Sequence, residues 1–189
     1  LPPAGQASAG SETEYVMLGA HYDHLGRGET GGFRIKGEEG MIHNGADDNA
    51  SGVSTLLEMA AQLAERRQSH PQEFQRGVIF SFWSGEELGL IGSDRYAAKP
   101  TVDLKQVVAY LNFDMVGRLR ENKLTLQGVG SSSVWKKLIE RRNVLAGFDL
   151  TLQQDPYLPT DTTSFYPKGI PVLAWFTGSH EEYHRPADD

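Results

Sequence analysis

Short β-branched and aromatic runs alternate in this chain with stretches of helical periodicity, and that alternation restricts the fold more than any other feature. Tyr15 to Ala20 (YVMLGA) is an apolar run bounded by polar and glycine residues, the pattern of a strand buried on both faces. Between Val53 and Arg67, the residues Val53, Leu56, Leu57, Ala60, Leu63 and Ala64 form a helical stripe, closed by Glu65, Arg66 and Arg67. Gly77 to Ser84 (GVIFSFWS) then reads as a strand and Glu87 to Ala98 as a helix. Val107 to Met115 and Lys123 to Gln127 read as strands, Ser133 to Arg142 as a helix, and Phe148 to Leu152 and Ile170 to Phe176 as strands. This order predicts an α/β fold, a mixed, mostly parallel β-sheet sandwiched between α-helices. A length of 189 residues suits a single domain. The glycine-rich stretch 26–44 interrupts the order and is expected to be a loop or small hairpin beside the site.

Charge and composition narrow the chemistry. Lys plus Arg number 18 against 25 Asp plus Glu, a net charge of −7 without a basic cluster, which argues against nucleic acid as a partner. Cysteine is absent, so any metal must be held by histidine and carboxylates. No apolar run approaches the roughly 20 residues that cross a bilayer, and the opening LPPAGQASAGSETE lacks the basic and apolar regions of a signal peptide.

In an open α/β sheet, ligands bind where the carboxyl ends of the strands meet the loops. Four of the expected strands run into metal-ligand or acid/base residues: HYDH at His21 to His24, GEE at Gly85 to Glu87, FD at Phe113 to Asp114, and EEYH at Glu181 to His184. Four such endings from four strands converge on one edge. Some have plainer readings. Ser84 with Glu87 matches a capping box, Glu86 suits the positive end of a helix, and His24 and His43 read as ordinary polar loop residues. His21 differs, because Asp23 two residues on is spaced to hold the imidazole nitrogen that faces away from a metal. In Asn44 to Gly52 (NGADDNASG), acids could be helix caps, yet the surrounding Gly45, Ala46, Ala50, Ser51 and Gly52 allow close approach of other segments.

The motifs AHYDH, NGADDNASG, SGEELGLIGS, NFDMVG and EEYHRPAD, in this order from His21 to Asp188, resemble the zinc aminopeptidases of peptidase family M28. The resemblance implies a zinc-peptidase, phosphorylase/hydrolase-like fold, with residues 1–189 as one M28-type metallopeptidase catalytic domain trimmed at both ends. It implies two Zn²⁺ per chain. Asp47 would bridge both ions, with His21 and Asp114 completing one site and Glu87 and His184 the other. The peptide bond after the bridging residue, Asp47–Asp48, would be cis. Glu86 would be the general base, Asp23 the partner of His21, and Tyr157 the support of the developing oxyanion. Met115, Phe176 and Tyr183 fall where the family lines its side-chain pocket, suggesting an apolar first residue.

The implied function is zinc-dependent hydrolysis of the N-terminal peptide bond, with water as nucleophile and peptides with a free N-terminus as substrates, at an extracytoplasmic location. Three alternatives differ in chemistry. A glutaminyl cyclase would use a single zinc and does not keep the first histidine. A binding module on the same fold would lose ligands. A carboxypeptidase or other amidohydrolase would need a cation for the substrate carboxylate, for which Arg118 and Arg185 are the candidates. Thr162 stands where the family usually has histidine after its Thr/Ser-Asp pair.

Overall fold

A computed structural model describes residues 1–3, 13–29 and 36–189. The expectation for 26–44 therefore falls partly outside the described residues, at 30–35. Six strands form one sheet: β1 (Tyr15–His21), β2 (Gly77–Trp83), β3 (Val107–Phe113), β4 (Lys123–Gln127), β5 (Asp149–Leu152) and β6 (Val172–Phe176), in the order β2-β1-β3-β6-β4-β5. All neighbouring pairs are parallel except β4 with β6. The carboxyl ends of β1, β2, β3 and β6 consequently share one edge, while β4 and β5 run the other way.

Helices cover both faces because successive strand residues alternate sides. On one face, α1 (Gly52–Ser69) buries Leu56 against Leu18, Ala20 and Phe113, and α3 (Trp135–Ala146) sets Trp135 and Ile139 on Ala109, Leu124, Leu126 and Leu173. On the other, Ala97 of α2 (Ile91–Ala98) and Phe165 of the helical turn α4 (Thr162–Phe165) pack on Met17, Trp83, Tyr110 and Val172. Leu56 is fully enclosed, and burial of such a side chain contributes about 1.5–3 kcal/mol.

A hydrogen-bonded chain of polar groups runs through the core. Trp83 Nε1 donates to Tyr110 Oη at 2.9 Å, which donates to Asn112 Oδ1 at 2.7 Å. This chain crosses β1 at Gly19, where a Cβ would lie 2.2 Å from the tyrosine oxygen. Glycine is what allows three strands to share the contact.

Two elements differ from expectation. The helix expected from Glu87 begins only at Ile91, because Leu90 takes a left-handed conformation and residues 85–90 form turns. Strand β3 stops at Phe113, which leaves Asp114 and Met115 beyond it, Met115 with φ 53°. Both changes free acidic residues from regular structure at the edge that carries the site. No helix among the described residues is long and apolar enough to cross a membrane.

Candidate metal centre

The shared edge opens into a cleft of about 580 Å³, lined by His21, Asp48, Glu86, Glu87, Asp114 and His184 among its polar residues. His21 closes β1 and is almost wholly buried. Its Nδ1 makes a 3.0 Å hydrogen bond with the backbone oxygen of Asp23, which makes Nδ1–H the donor there and turns Nε2 to the cleft. There Nε2 lies 3.1 Å from Asp48 Oδ1 and 3.4 Å from Asp114 Oδ1. On the other side, His184 Nε2 lies 3.1 Å from Asp48 Oδ2 and 3.2 Å from Glu87 Oε2. Tyr183 stacks on the His184 ring with centroids 3.8 Å apart.

Asp48, not Asp47, is therefore the residue shared by the two groups. The expectation that placed Asp47 there is corrected by one position, and the cis peptide bond lies at Asp48–Asn49 rather than Asp47–Asp48. The reason lies in the backbone of residues 46–51, where Asp48 (φ −108°, ψ 88°) and Asn49 (φ −138°, ψ 40°) leave helical geometry. The Asp188 carboxylate clamps this kink by accepting from the amides of Asp47 and Asp48 at 3.1–3.2 Å. Asp47 then points away from the cleft. Its Oδ1 accepts from the Gly117 amide at 2.7 Å, and its Oδ2 lies 3.3 Å from His180 Nε2.

Glu86 and Glu87 sit in the turn after β2 rather than in a helix. The capping-box reading of Ser84 and Glu87 fails, because it is the Asp23 carboxylate that accepts from the Glu86 and Glu87 amides, at 3.2 and 3.4 Å. Asp23 contacts His21 through its backbone oxygen, with its carboxylate 3.8 Å from Nδ1. It thus braces both His21 and the Glu86–Glu87 turn. His24, read from sequence as a polar loop residue, hydrogen-bonds Glu87 Oε1 through Nδ1 at 2.7 Å. Tyr157 is not brought into the cleft: it is 67% exposed and packs edge-on against Tyr166, while Pro159 and Thr160 line the cleft wall. Thr162 is fully buried, its hydroxyl 2.9 Å from that of Thr160.

The electrostatics are those of carboxylates crowded away from water. Burial works against a charge on His21, but hydrogen bonds to Asp114 and Asp48 outweigh it and hold its pKa up to about 12. His184 is raised in the same way to about 9 by Asp48 and Glu87. Burial would raise Asp48, yet His184 and His21 hold it well below the usual carboxylate range. Glu86, with no such partner, is pushed up to about 8, chiefly by burial.

These donors suit cations. His21, Asp48 and Asp114 present ligand atoms within 4.8 Å of one another, as do His21, Glu86 and Glu87, and His24, Asp48 and Glu87. Imidazole nitrogen with carboxylate oxygen is a zinc-type donor set. No arginine or lysine among the described residues lines the cleft. Arg118 is engaged instead with Glu182 Oε2 and Asp188 Oδ1, both at 3.0 Å.

A mixed α/β sheet with histidines and carboxylates gathered at its carboxyl edge is the architecture of a metallopeptidase class of proteins. The model of peptidase family M28 matches residues 4–189, and the chain belongs to that family. Over 184 residues it is 31% identical to an aminopeptidase of Pseudomonas aeruginosa, covering 90% of this chain and 30% of that protein. Over 124 residues it is 36% identical to a probable lipoprotein aminopeptidase of Mycobacterium tuberculosis, covering 65% of this chain and 21% of that protein. The chain thus spans less than a third of the length of these relatives. Among solved structures, the zinc aminopeptidase BSAP of Bacillus subtilis superposes with a TM-score of 0.73 at 25% identity, covering 100% of this chain and 42% of that one. The LapA aminopeptidase of Legionella pneumophila, at 22% identity and a TM-score of 0.73 over 94% of this chain and 45% of that one, shares the fold.

Proposed function

We propose that this chain is the catalytic part of a zinc-dependent aminopeptidase that hydrolyses the N-terminal bond of peptides. The observation that carries the reading is the make-up of the cleft: its titratable groups are carboxylates and histidines arranged about Asp48, with no arginine or lysine among them in the described residues. A substrate carboxylate would find no arginine or lysine to pair with there, which favours an aminopeptidase over a carboxypeptidase.

Two zinc ions are the loading that the donors support. His21 and Asp114 would hold one and His184 and Glu87 the other, with Asp48 offering one oxygen to each. Bound there, zinc would polarise the scissile carbonyl and make water a better nucleophile. Among the described residues, Glu86 is the one cleft carboxylate outside this ligand set. It takes the proton of the attacking water and returns it to the leaving amine. Asp23 holds the amides of Glu86 and Glu87, so base and ligand keep a fixed relation. Met115, Phe176 and Tyr183 line the cleft beside these groups and suit an apolar first residue. The lipoprotein among the relatives supports an extracytoplasmic location.

The test is a panel of chromogenic aminoacyl substrates and their N-acetylated counterparts, with chelator-treated and zinc-restored protein. Cleavage of free but not blocked substrates, lost on chelation and regained with zinc, is expected. Equal cleavage of blocked substrates would rule out the aminopeptidase reading.

A further inference from the structure

The Glu87 carboxylate is divided between two histidines. Oε2 lies 3.2 Å from His184 Nε2, at the position where an ion would sit, whereas Oε1 is held by His24 Nδ1 at 2.7 Å. The side chains of His24 and Glu87 are only 8% and 6% exposed, so this hydrogen bond is shielded from water. We infer that His24 is a positioning residue that ties up one oxygen of Glu87, so that Glu87 offers a single oxygen to the ion it shares with His184. The inference rests on the reading of Glu87 as a metal ligand.

The direction of the bond follows from proton counting. A carboxylate oxygen accepts, so in the 2.7 Å contact His24 Nδ1–H is the donor. His24 Nε2 is buried without a hydrogen-bond partner among the described residues.

The ring has little freedom to do otherwise. It meets the His184 ring edge-on with centroids 5.6 Å apart. On its other side, Gly45 lies so close that a Cβ there would fall 2.6 Å from His24 Cγ, and Gly45 itself has φ 66°. A glycine immediately before the Ala46–Ser51 kink thus admits the imidazole between the Asp48 loop and the Glu87 turn. An acceptor-orienting hydrogen bond of this kind is typically worth 10- to 100-fold in metal affinity.

The experiment is a zinc titration against a competing chelator for the parent chain, His24→Leu, His24→Asn and Glu87→Gln, with melting temperatures measured on the metal-free forms. The parent is expected to take two ions. His24→Leu should weaken one of them about 10- to 100-fold and leave the other unchanged, while His24→Asn, whose amide N–H can replace Nδ1–H, restores most of the loss. Glu87→Gln should weaken the same ion. If the parent binds two ions and His24→Leu binds both as tightly, the inference fails and the metal reading stands. If His24→Asn is as weak as His24→Leu, the donor role is overturned in favour of the imidazole itself. A parent chain that takes no zinc, or a Glu87→Gln that binds normally, would overturn the ligand reading and this inference with it. Should His24→Leu fail to fold, the smaller His24→Ala, which also lacks the donor, takes its place: the same weakening of one ion supports the inference and unchanged binding overturns it.

Discussion

Asp47 and Asp48 are adjacent in sequence, yet their carboxylates serve opposite sides of one loop. Asp48 places its two oxygens 3.1 Å from the Nε2 atoms of His21 and His184, while Asp47 receives the Gly117 amide and faces His180. One residue faces the cleft and the other fastens the loop to the segment after β3.

This division predicts different losses. Asp48→Ala should abolish binding of both zinc ions, since each is expected to use one of its oxygens. Asp47→Ala should retain both ions and lose stability, because the Gly117 amide is left without its acceptor, a defect of about 1–3 kcal/mol. Metal content and melting temperature of the two variants check this, and loss of metal only in Asp47→Ala would reverse the assignment.

Glu86→Gln isolates the base. The substitution keeps size and shape and removes a group with no part in the expected ligand set. Zinc content and melting temperature should stay near those of the parent, while kcat falls by about 10²- to 10⁴-fold. Near-normal kcat in a fully loaded variant would exclude Glu86 as the base.

Asp23 joins β1 to the Glu86–Glu87 turn, so its removal acts on two groups at once. Asp23→Ala leaves both amides without their acceptor but keeps the backbone oxygen that orients His21. Activity should drop about 10- to 100-fold with zinc still bound. Asp23→Asn, which keeps one carbonyl oxygen, should lose less. A chain that loses zinc entirely in Asp23→Ala would mean that Asp23 is itself a ligand.

The strands and their chemical endings were legible because apolar runs and helical stripes are local patterns. His21 ends a strand of the expected type and Glu87, Asp114 and His184 each come after one, and the parallel arrangement of β1, β2, β3 and β6 brings them to one edge. The choice between Asp47 and Asp48 was not local. It is made by Asp188, 140 residues further on, whose carboxylate holds the kinked backbone. The partner of the Glu86–Glu87 amides is likewise Asp23, 63 residues earlier, where nearby sequence offered Ser84 instead. His24 carried no signal at all, since its role depends on a carboxylate from another strand end. Tyr157 matched a motif by spacing, but the loop after β5 turns its ring onto Tyr166.

Asp161 gives a test of buried charge outside the ligand set. It is fully enclosed, and burial, reinforced by the charges of Asp114 and Asp23, pushes its pKa from 3.8 up to about 7. The sign follows from which state holds the proton. Between about pH 4 and pH 7 the unfolded chain has released it while the folded chain keeps it, so stability from this group is present at low pH and falls as pH rises through that window. Asp161→Asn removes the titration. Its stability should be the flatter of the two between pH 4 and 7 and should exceed that of the parent above pH 7. Urea midpoints of both proteins across this range measure the difference, and parallel curves would show that Asp161 ionises in the folded chain as it does in the unfolded one.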